Sequence, residues 1–328
     1  MVPVVQMKGI QKQFATVVAN DSVDFDLYPG EVHSLVGENG AGKTTLMRIL
    51  YGQYAQDGGE ILIDGKPAHY NIAGAMKLGI AMVHQNFMQV EEMSILENVI
   101  MARMKTKAGF IDFKSAYGKV SELLENFGVK ADPNSIVGRL SVGERYRIEI
   151  IKALYLGARI LILDEPTAVL TPQETVELFS IIRDLKKQGT TIVFISHKLR
   201  EVVAISDRIS VMRRGKITGH FDGSSVTETD IARAMIGKQN VDLIKSDNNS
   251  GVGSEVICEA KNLWYFDDQG LPKIRDFSLS VHAGEILGIG GVEGNGQTEL
   301  LDLLVGMKDV SAGAISLLGK DITKATIK

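Results

Sequence analysis

Short apolar runs at residues 32–36, 160–163 and 191–195 alternate with longer stretches in which apolar residues recur three and four apart. Runs that are apolar throughout suit strands buried on both faces, and their alternation with helical stretches predicts a parallel α/β core. Residues 90–155 read differently. "SILENVIMARM", "KSAYGKVSELLENFGV" and "VGERYRIEIIKALYLG" all keep helical spacing, which predicts a helical subdomain there. Two helix starts carry capping signals: Ser94 with Glu97 three residues on, and Thr171 followed by Pro172 and Glu174.

The pattern then recurs. "PGEVHSLVGENGAGKTTLMRILYG" (29–52) matches "AGEILGIGGVEGNGQTELLDLLVG" (283–306). Gly30, Glu31, Gly37, Gly42 and Gly52 reappear as Gly284, Glu285, Gly291, Gly296 and Gly306, at one constant offset (284 − 30 = 254). A fixed offset of this length means a tandem duplication. Residues 238–255 are polar and rich in Asn, Ser, Asp and Gly, the composition of a linker. The expected organisation is a first domain over 1–240, a linker over 241–254 and the start of a second copy over 255–328. That copy reaches only a strand–loop–helix unit and a returning strand, which leaves sheet edges and apolar faces uncovered. The chain therefore reads as a piece of a longer protein.

Composition narrows the partners. The 328 residues carry a net charge of −4, so no broad positive field attracts nucleic acid, and an anion must be held by a local site. One cysteine, Cys258, excludes an internal disulfide and suits a reducing compartment. No apolar run approaches the roughly 20 residues that span a bilayer, and "MVPVVQMKGI" lacks the plan of a signal peptide. If the protein works at a membrane, another subunit supplies the spans.

The local anion site is easily found. "GENGAGKT" (Gly37, Glu38, Asn39, Gly40, Ala41, Gly42, Lys43, Thr44) fits G-x-x-x-x-G-K-[ST] and lies between an apolar strand and the helix "TTLMRILYG", which begins with Thr44 and Thr45. Its glycines let backbone N–H groups turn toward phosphate oxygens at a helix N-terminus. Lys43 would reach the β and γ phosphates, and the Thr44 hydroxyl would hold Mg²⁺. In the second copy Gln297 stands in the lysine's place. In "ILILDEP" an apolar strand ends in Asp164 and Glu165, one carboxylate for the Mg²⁺ shell and one to polarise an attacking water. In "LSVGERYRIEI", Ser141 and Glu144 form a capping box, the bland reading. An exposed N-terminus there, with Ser141 and Gly143, can also donate to the phosphates of a second nucleotide. Gln85 and His197 each follow a short strand and can approach the metal, the water and the γ-phosphate. Phe14 can stack on adenine.

Residues 1–240 resemble the nucleotide-binding subunit of an ATP-binding cassette (ABC) transporter, on Phe14, the Gly37–Thr44 loop, Gln85, "LSVGE", "LILDEP" and His197 in that order. Residues 255–328 resemble the start of a second cassette. "MVHQNFM", "LSVGERYRIEIIKALY" and "DEPTAVLTPQE" are similar to the double-cassette ATPases of bacterial simple-sugar and nucleoside importers, the nucleoside branch above the ribose or galactose branch. Val142, Glu144, Tyr146 and Thr171 depart from the usual pattern.

The resemblance implies a P-loop NTPase of the ABC type, with a RecA-like parallel core, an antiparallel β subdomain and a helical subdomain. It implies ATP and Mg²⁺ as cofactors, with Thr44, Gln85 and Asp164 around the metal and Glu165, His197 and Gln85 in hydrolysis. It also implies head-to-tail pairing of cassettes, one competent site and one degenerate site at Gln297. Transmembrane permease subunits, an extracytoplasmic solute-binding protein and a place on the cytoplasmic face of a bacterial membrane follow from the same likeness. A soluble double-cassette ATPase is the alternative of another class. Its long charged helical linker is missing here.

Overall fold

The computed structural model describes residues 2–85, 87–101, 106–107, 110–237, 253–267, 270–291 and 295–325. It divides into two units, residues 1–241 and 242–328. Most of the expected linker, 238–252, lies outside the described residues.

In the first unit β1 (Val5–Phe14) and β2 (Val17–Leu27) form an antiparallel hairpin. β3 (Val32–Val36) is buried along its whole length and leads through the Gly37–Gly42 loop into α1 (Lys43–Leu50). β4 (Gly58–Ile63) and β5 (Lys66–Pro67) return to the hairpin and complete a sheet in the order β2-β1-β4-β5. α2 (Ile72–Lys77), with its N-cap Asn71, leads to β6 (Ile80–Val83).

A helical subdomain follows: α3 (Ile95–Ile100), the two-residue strands β7 (Thr106–Lys107) and β8 (Phe110–Ile111), α4 (Phe113–Asn126) and α5 (Val142–Tyr155). Ser94 and Ser141 each close a capping box. The hairpin β7–β8 carries no signal in the apolar spacing.

The chain re-enters the core with β9 (Ile160–Asp164), α6 (Pro172–Lys187), β10 (Thr191–Ile195), α7 (Leu199–Ile205), β11 (Arg208–Arg213), β12 (Lys216–Asp222) and α8 (Glu228–Ile236). The second sheet runs β12-β11-β3-β10-β9-β6, parallel except for the edge strand β12. β3, β9 and β10 are buried at every position, the mark of central parallel strands covered on both faces. One core fills the space between the two sheets and α1, a second lies on the other face under α5 and α6, and a third holds the helical subdomain.

The second unit contains β13 (Val256–Phe266), β14 (Pro272–His282), α9 (Gln297–Leu304), β15 (Ala312–Leu317) and β16 (Lys320–Asp321). Its sheet order, β14-β13-β15-β16, repeats β2-β1-β4-β5. The repeat extends to backbone conformation. Ser22 and Asp276 are left-handed at φ 53 and 46, Asp64 and Leu318 both at 51, and Gly59 and Gly313 at 87 and 100. Each pair is separated by the same offset (276 − 22 = 254; 318 − 64 = 254; 313 − 59 = 254).

The expected strand–loop–helix unit of the second copy forms only in part. α9 is present, but residues 285–291 form no strand, and Ile286 is 98% exposed where its counterpart Val32 is fully buried. β3 owes its shape to β10 and β11 pairing on either side of it. Residues 285–291 have no such strands beside them among the described residues, and unpaired backbone has no ladder to hold it extended.

Candidate functional site

The parallel register gathers the site. Ile195 pairs with Leu35 and with Asp164, and Val83 pairs with Leu163. The Gly37 loop, Asp164–Glu165, His197 and Gln85 therefore all emerge at the C-terminal edge of one sheet, where open α/β sheets place ligands.

The loop itself is shaped by its glycines. Gly42 caps α1 with φ 103, and a Cβ there would lie 2.1 Å from the Ala19 carbonyl oxygen. A Cβ on Gly37 would lie 2.1 Å from the Met212 carbonyl oxygen. Glu38, Asn39 and Gly40 stand exposed on the outer turn, Ala41 packs inward, and Thr45 is half-buried in the first turn of α1. Asn20 braces the loop from β2 by donating to the Gly42 carbonyl at 3.2 Å.

Lys43 is 5% exposed, and its ammonium donates to the Gly37 and Glu38 carbonyls at 2.7 and 3.0 Å. Burial pulls its pKa below the ordinary lysine value, with the charges of Glu165 and Asp164 opposing. Thr44 Oγ1 donates to Asp164 Oδ1 at 3.4 Å. Asp164 is 5% exposed, and burial pushes its carboxyl above the usual range against the Thr44 hydrogen bond. Two hard oxygen donors, one a buried carboxylate, fit Mg²⁺, which keeps several waters and takes phosphate oxygens as further ligands. Among the described residues no cluster of three or more His, Cys, Asp or Glu forms a protein-only metal cage.

Glu165 adopts φ 48, a left-handed conformation uncommon for a side chain of its size. Its N–H donates to the Ile195 carbonyl at 3.0 Å, and its Oε1 lies 3.1 Å from His197 Nδ1. The following turn is clamped by α7: Lys198 Nζ donates to the Thr167 carbonyl at 2.8 Å, and the Thr167 hydroxyl donates to Glu201 at 2.5 Å. Sequence reasoning missed this clamp. Its signal, a threonine inside a tight turn and two charged residues soon after His197, has no fixed spacing across the gap.

Gln85 stands at this same edge, exposed two residues beyond β6; the other candidates lie elsewhere. Phe14 belongs to the antiparallel sheet; it is half-exposed, meets Tyr54 edge-on at 5.3 Å and carries the Lys12 ammonium 5.4 Å from its ring centre. Ser141 is exposed at the start of α5, its hydroxyl engaged with Glu144. The expectation that Gly143 is exposed too is corrected: it is buried, and a Cβ there would lie 2.3 Å from Glu174 Oε1. The N-terminal turns of α5 and α6 pack together, and that contact covers it. Thr171 is the N-cap of α6, accepting from the Glu174 N–H at 3.3 Å. In the second unit Gly296 caps α9 at φ 92, as Gly42 caps α1, and the Gln297 amide nitrogen fills the space beside Gly291.

The family described as ABC transporter matches residues 20–168 and 274–328. The nucleoside import ATP-binding protein NupA of Lactococcus lactis is 43% identical over 321 residues, covering 98% of this chain and 63% of that protein. The guanosine import ATP-binding protein NupO of Bacillus subtilis is 42% identical and the ribose import ATP-binding protein RbsA 1 of Rubrobacter xylanophilus 41%, each with 98% and 63% coverage. The chain thus spans just under two thirds of the length of these relatives. Among solved structures, a nucleotide-free ATP-binding cassette from an ABC transporter superposes with a TM-score of 0.63 at 24% identity, over 72% of this chain and all of that one. The structure of cbiO1 from Clostridium perfringens, part of the ABC transporter complex cbiONQ, gives 0.61 at 25%, over 71% and 93%.

Proposed function

Since this chain belongs to the ABC transporter family, we propose that it binds and hydrolyses ATP at the C-terminal edge of its six-stranded sheet and so drives import through membrane subunits. The observation that carries the proposal is the convergence there of a buried ammonium, the Thr44–Asp164 pair and the Glu165–His197 pair.

In this reading the phosphates take the place of the Gly37 and Glu38 carbonyls as acceptors for Lys43, and the N–H groups at the start of α1 face the same anion. Residues 38–42 line its path, Thr45 supports the first turn, and Phe14 meets the adenine. Thr44 and Asp164, with Gln85, hold Mg²⁺, which when bound offsets phosphate charge. Glu165 accepts a proton from the attacking water, while His197 orients Glu165 and touches the γ-phosphate. Ser141 offers a donor to the nucleotide of a facing cassette. Gln297 is neutral and lacks the charge-assisted bond, so the second loop is degenerate, and the chain is a piece of a double-cassette protein whose other part supplies the facing surfaces.

The solute proposed is a nucleoside, as in NupA and NupO; the ribose-import relative favours a pentose as the second reading. A separate binding protein delivers it. The test is labelled-nucleoside uptake by cells carrying the complete transporter. Lys43→Ala should abolish uptake. Excess uridine should compete and ribose should not. Glu165→Gln should keep ATP binding and cut turnover by about 100-fold or more. Uptake that survives Lys43→Ala overturns the reading.

A further inference from the structure

Phe14 ends β1 with its ring 41% exposed. Two groups already hold that ring. Tyr54 meets it edge-on at 5.3 Å, and the Lys12 ammonium lies over it, 5.4 Å from its centre. A lysine ordinarily keeps its head in water. The Lys12 side chain is only 15% exposed, and its Nζ donates to Asp57 Oδ1 at 2.7 Å. The other oxygen, Asp57 Oδ2, accepts the N–H of Gln13, the residue before Phe14, at 2.7 Å. One carboxylate therefore fixes both the cation and the backbone that carries the ring. These hydrogen bonds, Lys12 first and Gln13 next, hold the Asp57 carboxyl below the usual range. The β1–β2 register shifts between Lys12 and Gln13, an irregularity of the kind that re-aims a side chain. A staple between strands does not account for the ammonium. The backbone already joins these segments, since the Asp57 N–H donates to the Gln11 carbonyl at 2.8 Å, and an ion pair at the surface adds little.

A bare aromatic ring stacks on any base, because every base has a π-face. Two such faces, both negative, repel when they lie squarely over one another. A cation over one face attracts the ring's π density, and the density drawn toward it leaves the opposite face less negative. We propose that Lys12, held by Asp57, is a positioning residue for the nucleotide base: it fixes the Phe14 ring and makes the ring's open face a tighter seat for a purine. Tyr54 closes the edge of the ring and is itself held by Arg48, which donates to its hydroxyl at 3.2 Å. The phosphates are gripped separately, by Lys43 and the loop. Lys12 therefore acts on the base alone, and a ligand without a base does not feel it. The inference rests on the reading of Phe14 as the adenine platform.

The test sets a ligand with a base against one without. Calorimetry measures the binding of MgATP and of magnesium tripolyphosphate to the full chain. Lys12→Met should weaken ATP by about threefold to fivefold and leave tripolyphosphate where it was, and Lys12→Arg should restore the ATP affinity. With Phe14→Ala already in place, Lys12→Met should make no further difference. Equal losses for the two ligands would mean that the hairpin has only loosened, and they overturn the proposal. So does an unchanged ATP affinity, or a loss that persists without the Phe14 ring. If Phe14→Ala itself leaves ATP binding untouched, the adenine reading of Phe14 falls and this inference with it. If Phe14→Ala weakens ATP and Lys12→Met does not, the adenine reading stands and only the role of Lys12 is refuted.

Discussion

Glu165 holds φ 48 because its neighbours on both sides are fixed: its own N–H is bound to Ile195, and its turn is clamped through Thr167 to α7. Strain of that kind persists where the surroundings over-determine it, and it aims the carboxylate at His197. Asp164 shows the electrostatic side of the same site. Its folded pKa is raised, so its protonated form favours the fold, and that contribution is lost as pH rises through the raised value. In nucleotide-free protein, Asp164→Asn should therefore melt higher than wild type at neutral pH, and the difference should shrink as pH falls toward the ordinary carboxyl range. Thermal melts across that range check the sign; a less stable asparagine variant at pH 7 contradicts it. Gly42 is constrained twice, by φ 103 and by the Ala19 carbonyl. Gly42→Ala should cost at least about 2 kcal/mol in urea unfolding.

At the scale of elements, Thr171 is explained by its helix. It is an N-cap with a complete capping box, a job that aspartate does equally well and alanine does not. Thr171→Ala should lose about 1 kcal/mol of stability, and Thr171→Asp should stay within about 0.5 kcal/mol of wild type; equal losses in denaturant melts would refute the assignment. The two copies of the strand segment make the contrast sharper. Val32 is fully buried and Ile286 is 98% exposed, although the two occupy the same place in the repeat. Val32→Lys should unfold the first unit, whereas Ile286→Lys should change stability by no more than about 0.5 kcal/mol. Circular-dichroism melts of the pair read this directly.

At the scale of the molecule, the first unit carries three cores of its own and the second carries a small fourth. Residues 1–241 expressed alone should fold and melt cooperatively, within a few degrees of the main transition of the full chain by calorimetry. Loss of that transition would mean that the first unit depends on the second. Among the described residues no helix is long and apolar enough to cross a membrane.

The sequence by itself determined the things that depend on local chemistry or on period. Apolar runs marked β3, β9 and β10, helical spacing marked α4 and α5, capping pairs marked Ser94 and Thr171, and glycine spacing marked the loop and its repeat. These signals are local because dihedral preference, capping and burial pattern act over a few residues. Only the tertiary structure decided the rest. It set the pairing of β9 with β10 that brings Glu165 to His197, the clamp from α7, the covering of Gly143 by Glu174 and the failure of residues 285–291 to form a strand. Each of these depends on which residues distant in the chain become neighbours. A strand-like sequence becomes a strand only where other strands satisfy its backbone, and a carboxylate is buried or exposed only by what folds over it.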